Sequence, residues 1–173
     1  MTPDDFWLVV DQLRRRITTD TELPARLEAH LANQSLSYII AFEQQLRARF
    51  HEAYDAKLWA AATIILGICS DDSFTDFRGW LIAQGKDVFT AGLEAPDTLA
   101  EIRTFSGDSG TACLFYLCYI PERVYRKKIG EKFADIPIAH VQPQWRHAEA
   151  LKWNRQQILE SFPRLSARFA QPK

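Results

Sequence analysis

The sequence predicts an all-α fold, a compact bundle of about seven or eight helices around a buried central helix near residues 57–67. Three observations carry that prediction. The long stretches between chain breakers are rich in Ala, Leu, Arg, Gln and Glu, and only seven glycines interrupt the 173 residues, a composition that favours helix over sheet. No sustained run alternates apolar and polar side chains as a half-buried strand would. The longest apolar run, Leu58–Cys69, falls well short of the roughly 20 residues a membrane helix needs and is apolar on every side, so it reads as a core helix.

The totals bound what such a bundle can be. With 47% apolar residues, residues 1–173 can bury a core without staples and are expected to form a single domain, with a core over about 6–100 and a basic helical part over about 111–173. The net charge of −1 hides a division: residues 1–99 carry nine basic and fifteen acidic side chains, and residues 100–173 carry twelve and seven. Such halves can attract each other or present opposed faces to partners. Nucleic acid is a disfavoured partner because the near-neutral total gives little electrostatic drive. Three cysteines at unrelated spacings, behind an N-terminus that opens on a helix cap, predict reduced thiols, a cytoplasmic location and no membrane association.

The elements follow in order. Thr2, Pro3, Asp4 and Asp5 form a helix start, with Phe6, Val10, Leu13 and Ile17 at helical spacing and Arg14, Arg15 and Arg16 suited to the negative end of the helix dipole. Leu23, Leu27 and Leu31 predict a short second helix over about 22–32. Ser35 starts a longer third one carrying Leu36, Ile39, Ile40, Leu46, Phe50 and Tyr54. His51 has no second ligand at i+4 and makes no zinc motif. The fourth helix is Lys57–Leu66, where Ala60, Ala61, Ala62 and Gly67 allow close approach of neighbours.

The fifth begins in the densest stretch of local signals, CSDDSFTDFRGWLIAQGK, residues 69–86. Ser70, Asp72 and Ser73 are all N-cap residues, and Ser73 with Asp76 resembles a capping box with Asp in place of Glu. Phe74, Phe77 and Leu81, widened by Trp80, make a buried stripe that ends at Gly85. At about 100° per residue, Asp72 and Asp76 share the opposite face, while Asp71 and Arg78 lie at the edge of the stripe. First-turn carboxylates are favoured by the helix dipole. The same Asp71, Asp72, Asp76 and Arg78 can also line a groove for a cation, a basic peptide or a small polar ligand.

The block SDDSFTDFRGWLIAQG, preceded by LWAAATIILGIC and followed by Ala95, Pro96, Asp97 and Leu99, resembles an uncharacterised bacterial family labelled only as a domain of unknown function. The resemblance joins an Ala-rich helix, the SDD turn, an FRxWLIxQG helix and a PDxLA segment in fixed order, over about Phe6 to Ala100. It implies fold boundaries and no activity.

Beyond Gly85, Asp87–Leu93 predicts a short helix and Pro96 resets the chain, with Asp97 as a turn or cap residue. Ser106–Gly110, SGDSG, lacks the strand and base of a nucleophile elbow and reads as a turn. Thr111–Ile129 predicts a buried helix kinked or divided at Pro121. Cys113 and Cys118 in it are not a CxxC pair, and Arg123, Arg126, Lys127 and Lys128 suit its C-terminal end or an anionic partner. Phe133–Pro143 reads as an extended connector. Trp145 to Phe162 predicts a last long helix stopped by Pro163, with His140 and His147 lacking paired ligands.

Two function classes follow. One is a regulatory or protein-interaction module without catalysis or cofactor, using the acidic face at Asp72 and Asp76 or the basic end at Arg123–Lys128. The other is a small-ligand binder or hydrolase-type enzyme in which Asp71, Asp72, Asp76 and Arg78 converge as acid, base or cation ligands. Asp97 joins the candidate ligand or partner site. No metal-ligand spacing, phosphate loop or nucleophile motif selects between the classes.

Overall fold

A computed structural model describes residues 1–17, 22–102, 117–132, 135–139 and 141–170. Their helices are α1 (Pro3–Arg14), α2 (Leu23–Ala32), α3 (Leu36–Glu52), α4 (Ala56–Leu66), α5 (Asp71–Ala83), α6 (Lys86–Glu94), α7 (Ile120–Ile129), α8 (Arg155–Ser161) and α9 (Pro163–Phe169), with 3-10 helices at Pro96–Glu101 and Ala148–Lys152. Among the described residues the only β-type pairing is an isolated parallel bridge between Asp55 and Arg146. The all-α expectation holds. The SGDSG segment, Cys113, Phe133 and His140 lie outside the described residues.

The helix starts are set by local chemistry. Thr2 and Asp5 bond reciprocally, Asp5 N–H to Thr2 Oγ1 at 3.1 Å and Thr2 N–H to Asp5 Oδ2 at 2.8 Å, and Ser35 Oγ accepts from the Tyr38 N–H at 3.2 Å. Asp55 caps α4 by accepting from the N–H groups of Lys57 and Leu58. Such caps satisfy amide groups that the helix leaves without partners, at about 1 kcal/mol each.

One hydrophobic cluster then runs from Phe6 and Trp7 of α1 through Phe42 and Leu46 of α3, Leu58 and Ala60–Ala62 of α4, and Phe74, Phe77 and Trp80 of α5 to Phe162 and Leu165. Phe6, Phe42, Phe74 and Trp80 are at most 1% exposed. Burial of a side chain of this size stabilises by roughly 1.5–3 kcal/mol. α4 shares the centre with the second half of α5, where Phe77 to Ala83 are buried without interruption. α1 is pinned to the α5–α6 corner: Arg14 donates to Ala83 O at 3.0 Å and to Gln84 Oε1 at 2.7 Å, and Asp11 Oδ1 accepts from the Lys86 N–H. Gly85 makes that corner with φ +93°, which requires glycine, and a Cβ there would also lie 2.5 Å from Asp11 Oδ1 and displace its bond to the Lys86 N–H.

Two sequence expectations are resolved here, both at prolines, and the second is corrected. Pro121 sits in the first turn of α7, where its missing N–H costs nothing, so a helix starts there, as the divided alternative expects; residues 111–116 lie outside the described residues. Pro163 likewise opens α9. The long helix expected from Trp145 is instead an extended strap, a 3-10 helix and the short α8 and α9. His147 at φ +49° breaks helical geometry, and the Trp145 ring is drawn onto Tyr54, 3.9 Å between centroids.

Candidate functional site

The α4–α5 junction forms because Gly67 leaves α4 at φ +82° and Ser70 begins α5. Ser70 Oγ accepts from the Ser73 N–H at 3.2 Å, and Ser73 Oγ accepts from the Ser70 N–H at 2.7 Å. The capping box is therefore Ser70 with Ser73, not Ser73 with Asp76, because the helix starts one turn earlier than the second pair requires. This leaves Asp71 and Asp72 exposed in the first turn and Asp76 half-buried on the next. Burial, and then the charge of Asp72, raise the Asp76 carboxyl above its ordinary range. Among the described residues none of these three carboxylates makes an ion pair.

The structure does not gather Arg78 with them at one mouth. Its side chain turns inward and is 8% exposed. The guanidinium carbon lies 5.4, 5.1 and 5.0 Å from the ring centres of Phe50, Tyr54 and Phe74, a cation–π cage. Nη1 donates to Phe50 O and Nη2 to Thr75 Oγ1, both at 3.0 Å. Arg78 and Asp76 still share one neighbour, Cys118. Its thiol is pushed up to about 11, first by burial and then by the charges of Glu43 and Asp76, with Arg78 opposing. Asp97 lies elsewhere: its carboxylate accepts from the N–H groups of Arg164 and Leu165 at 3.1 and 2.9 Å, capping α9 from a distant part of the chain.

The basic residues of α7 are mostly engaged within the fold. Arg123 pairs with Glu28 of α2 at 2.6 Å, Arg126 with Glu122 at 2.9 Å and Asp135 at 3.4 Å, and Lys128 donates to Ala32 O, the last residue of α2. Lys127 stays exposed. A shallow cleft of about 570 Å³ lies among Tyr119, Arg123, Arg126 and Lys127. The Arg123–Glu28 pair thus joins the basic half of the chain to the acidic half across the surface.

A different surface opens beside the SDD turn. Thr63, Ile64, Leu66 and Ile68 at the end of α4 face Ile158 and Leu159 of α8 and Phe169 of α9 across a groove of about 590 Å³, with Arg155 on the far wall. Ile68 is 82% exposed at its mouth. Asp71 follows Ile68 by three residues, a span of roughly 10 Å even when extended, and Asp71 and Asp72 are exposed there; the charged residue lining the groove itself is Arg155.

Two polar sites escape sequence reasoning. Glu43 on α3 is 3% exposed; one carboxylate oxygen accepts from Arg47 Nε at 2.7 Å and the other, Oε2, has no partner. Burial pushes its carboxyl up to about 7, with Arg47 opposing and Glu122 assisting. Its place among Ile39, Leu46 and Phe50 on one helical stripe was the available signal. Asp55, 1% exposed, receives His147 Nδ1 at 2.7 Å and lies 3.8 Å from Arg146 Nε. An Asp before an apolar helical run signals the cap, but nothing local signals partners some ninety residues away.

Among the described residues no group of three His, Cys, Asp or Glu side chains is arranged to hold a metal ion, and no helix is long and apolar enough to cross a membrane. No curated protein and no solved structure matches the chain. A family described as a protein of unknown function, DUF4240, matches over residues 1–127, from α1 through most of α7 and including the Ser70 capping box, the caged Arg78 and the Asp97 cap. On that match the chain belongs to the DUF4240 family of proteins of unknown function.

Proposed function

We propose that the protein is a non-catalytic interaction module that docks a basic, amphipathic segment of another protein in the groove between the end of α4 and α8–α9. The observation that carries this reading is the exposure of Ile68, 82%, in the lining of an apolar trough, three and four residues before the exposed Asp71 and Asp72. An isoleucine left this open beside Leu66, Ile158 and Leu159 offers apolar area to a partner. Carboxylates without intramolecular cations select the sign of that partner and speed its encounter. The basic end of α7 is less suited to the role, since Arg123, Arg126 and Lys128 already have partners within the fold.

The test uses two designed helical peptides of identical apolar pattern, one Leu/Lys and one Leu/Glu, titrated against the full chain by fluorescence anisotropy. The Leu/Lys peptide binds more tightly, Ile68→Asp weakens it at least about tenfold, and Asp71→Lys with Asp72→Lys weakens it in a salt-dependent way. Equal binding of the two peptides, or indifference to Ile68→Asp, removes this reading.

A further inference from the structure

The strap Trp145–Arg146–His147 engages the segment Tyr54–Asp55–Ala56 as a recognised peptide engages its receptor. Arg146 N–H donates to Tyr54 O at 3.1 Å and Ala56 N–H donates to Arg146 O at 3.0 Å, the two main-chain bonds of a parallel bridge. Trp145 fills an aromatic slot: it stacks on Tyr54 at 3.9 Å and on Phe74 at 5.7 Å, and meets Trp59 edge-on at 5.6 Å. Arg146 and His147 converge on the buried Asp55 carboxylate, and Arg146 Nη1 also donates to Glu52 O at 2.9 Å. An aromatic anchor, backbone pairing and cationic side chains on a buried acid are together the elements of strand-type peptide recognition.

The slot and the strap differ in whether the family match covers them. Tyr54, Asp55, Trp59 and Phe74 lie within the family-matched residues 1–127, while Trp145 to His147 lie outside them. The described residues on the N-terminal side of the strap, 135–139 and 141–144, carry no helix, so on that side the strap is held by these contacts, while on the other it runs into the 3-10 helix Ala148–Lys152. We propose that Tyr54–Ala56, with Trp59 and Phe74, is a docking site for an extended segment bearing tryptophan followed by cationic residues. The chain's own strap occupies this site in cis and thereby gates access by a partner's segment of the same chemistry. Tethering gives the strap an effective concentration on the order of millimolar, so it excludes a free competitor until it is released.

A fluorescein-labelled peptide of residues 141–150, VQPQWRHAEA, titrated by anisotropy against full-length chains, tests this. The Trp145→Ala chain is expected to bind it at least about tenfold more tightly than the wild-type chain, whose slot is filled. Adding Asp55→Asn, which keeps a good helix cap and removes the charge, lowers that binding again. A circular-dichroism spectrum confirms that each chain is folded. If Trp145→Ala unfolds, Trp145→Leu, which keeps apolar bulk but loses the stacking on Tyr54 and Phe74, gives the same readout. No binding to any folded strap variant, or equal binding to wild type and variant, overturns the proposal. Because the probe and the slot are separate from the Ile68 groove, this outcome is independent of the one above.

Discussion

Arg78 takes two things from Phe50: its Nη1 donates to the Phe50 carbonyl at 3.0 Å, and its guanidinium lies 5.4 Å from the Phe50 ring. One buried cation thereby joins the C-terminal turn of α3 to the middle of α5. Arg78→Ala is expected to cost more than about 2 kcal/mol, since it strips a buried carbonyl of its donor and empties the cage. Arg78→Lys keeps the charge but not the planar fork that reaches both Phe50 O and Thr75 Oγ1, and it should also destabilise measurably. Urea denaturation of the three chains checks the order wild type, Lys, Ala; a lysine variant as stable as wild type contradicts it.

Asp97 holds α9 by accepting two of its first amides, and the residue at the start of that helix, Phe162, supplies no side-chain cap. Asp97→Ala should cost about 0.5–2 kcal/mol, or roughly 2–4 °C of Tm for each kcal/mol in a chain of this size, and Asp97→Asn should recover much of it. Differential scanning calorimetry decides this.

At the start of α5 the cap and the carboxylates separate. Ser70→Ala should lower stability by about 1 kcal/mol because it breaks the reciprocal bonds with Ser73. Asp76→Asn should leave stability unchanged or raised at neutral pH, because burial and Asp72 already disfavour the charged carboxylate. A fall on Asp76→Asn as large as that on Ser70→Ala would return Asp76 to the cap.

Glu43 makes stability depend on pH. Its carboxyl rises from an ordinary 4.5 to about 7 on folding, so the folded state holds a proton that the unfolded state has released. Its contribution is most favourable below about 4.5, declines as pH climbs toward 7, and stays lost above. Glu43→Gln removes this dependence. The stability of the variant relative to wild type should therefore shift in its favour by on the order of 2–3 kcal/mol between pH 4.5 and pH 8. Chemical denaturation at both pH values measures the shift, and a pH-independent difference would show that Glu43 does not titrate this way.

What was legible in the sequence was whatever is decided within about one helical turn. Thr2, Ser35 and Ser70 caps, the stripes of α1 to α5 and the corner at Gly85 depend on neighbours three or four residues away, so spacing alone exposes them. The ambiguity among Ser70, Asp72 and Ser73 was also local, and it was settled by which hydroxyl reached the third amide. Arg78 was legible as the edge of a stripe but not as buried, because only the crossing of α3 and α5 brings Phe50, Tyr54 and Phe74 around it. The C-terminal segment was misread for a related reason: helical spacing from Trp145 to Phe162 is real, but stacking on Tyr54 and pairing with Asp55 outweigh a weak local preference.

The sequence by itself determined the helical class, the positions of most helix starts and the apolar faces, because these follow from backbone amides and side-chain periodicity. Only the tertiary structure decided which charges are paired within the fold and which stay exposed. Arg123 meets Glu28, Asp97 meets α9, and His147 meets Asp55, while Asp71 and Asp72 face water beside Ile68. Those choices join residues up to about ninety positions apart, and they are fixed by how packed helices bring distant surfaces together, which no local spacing encodes.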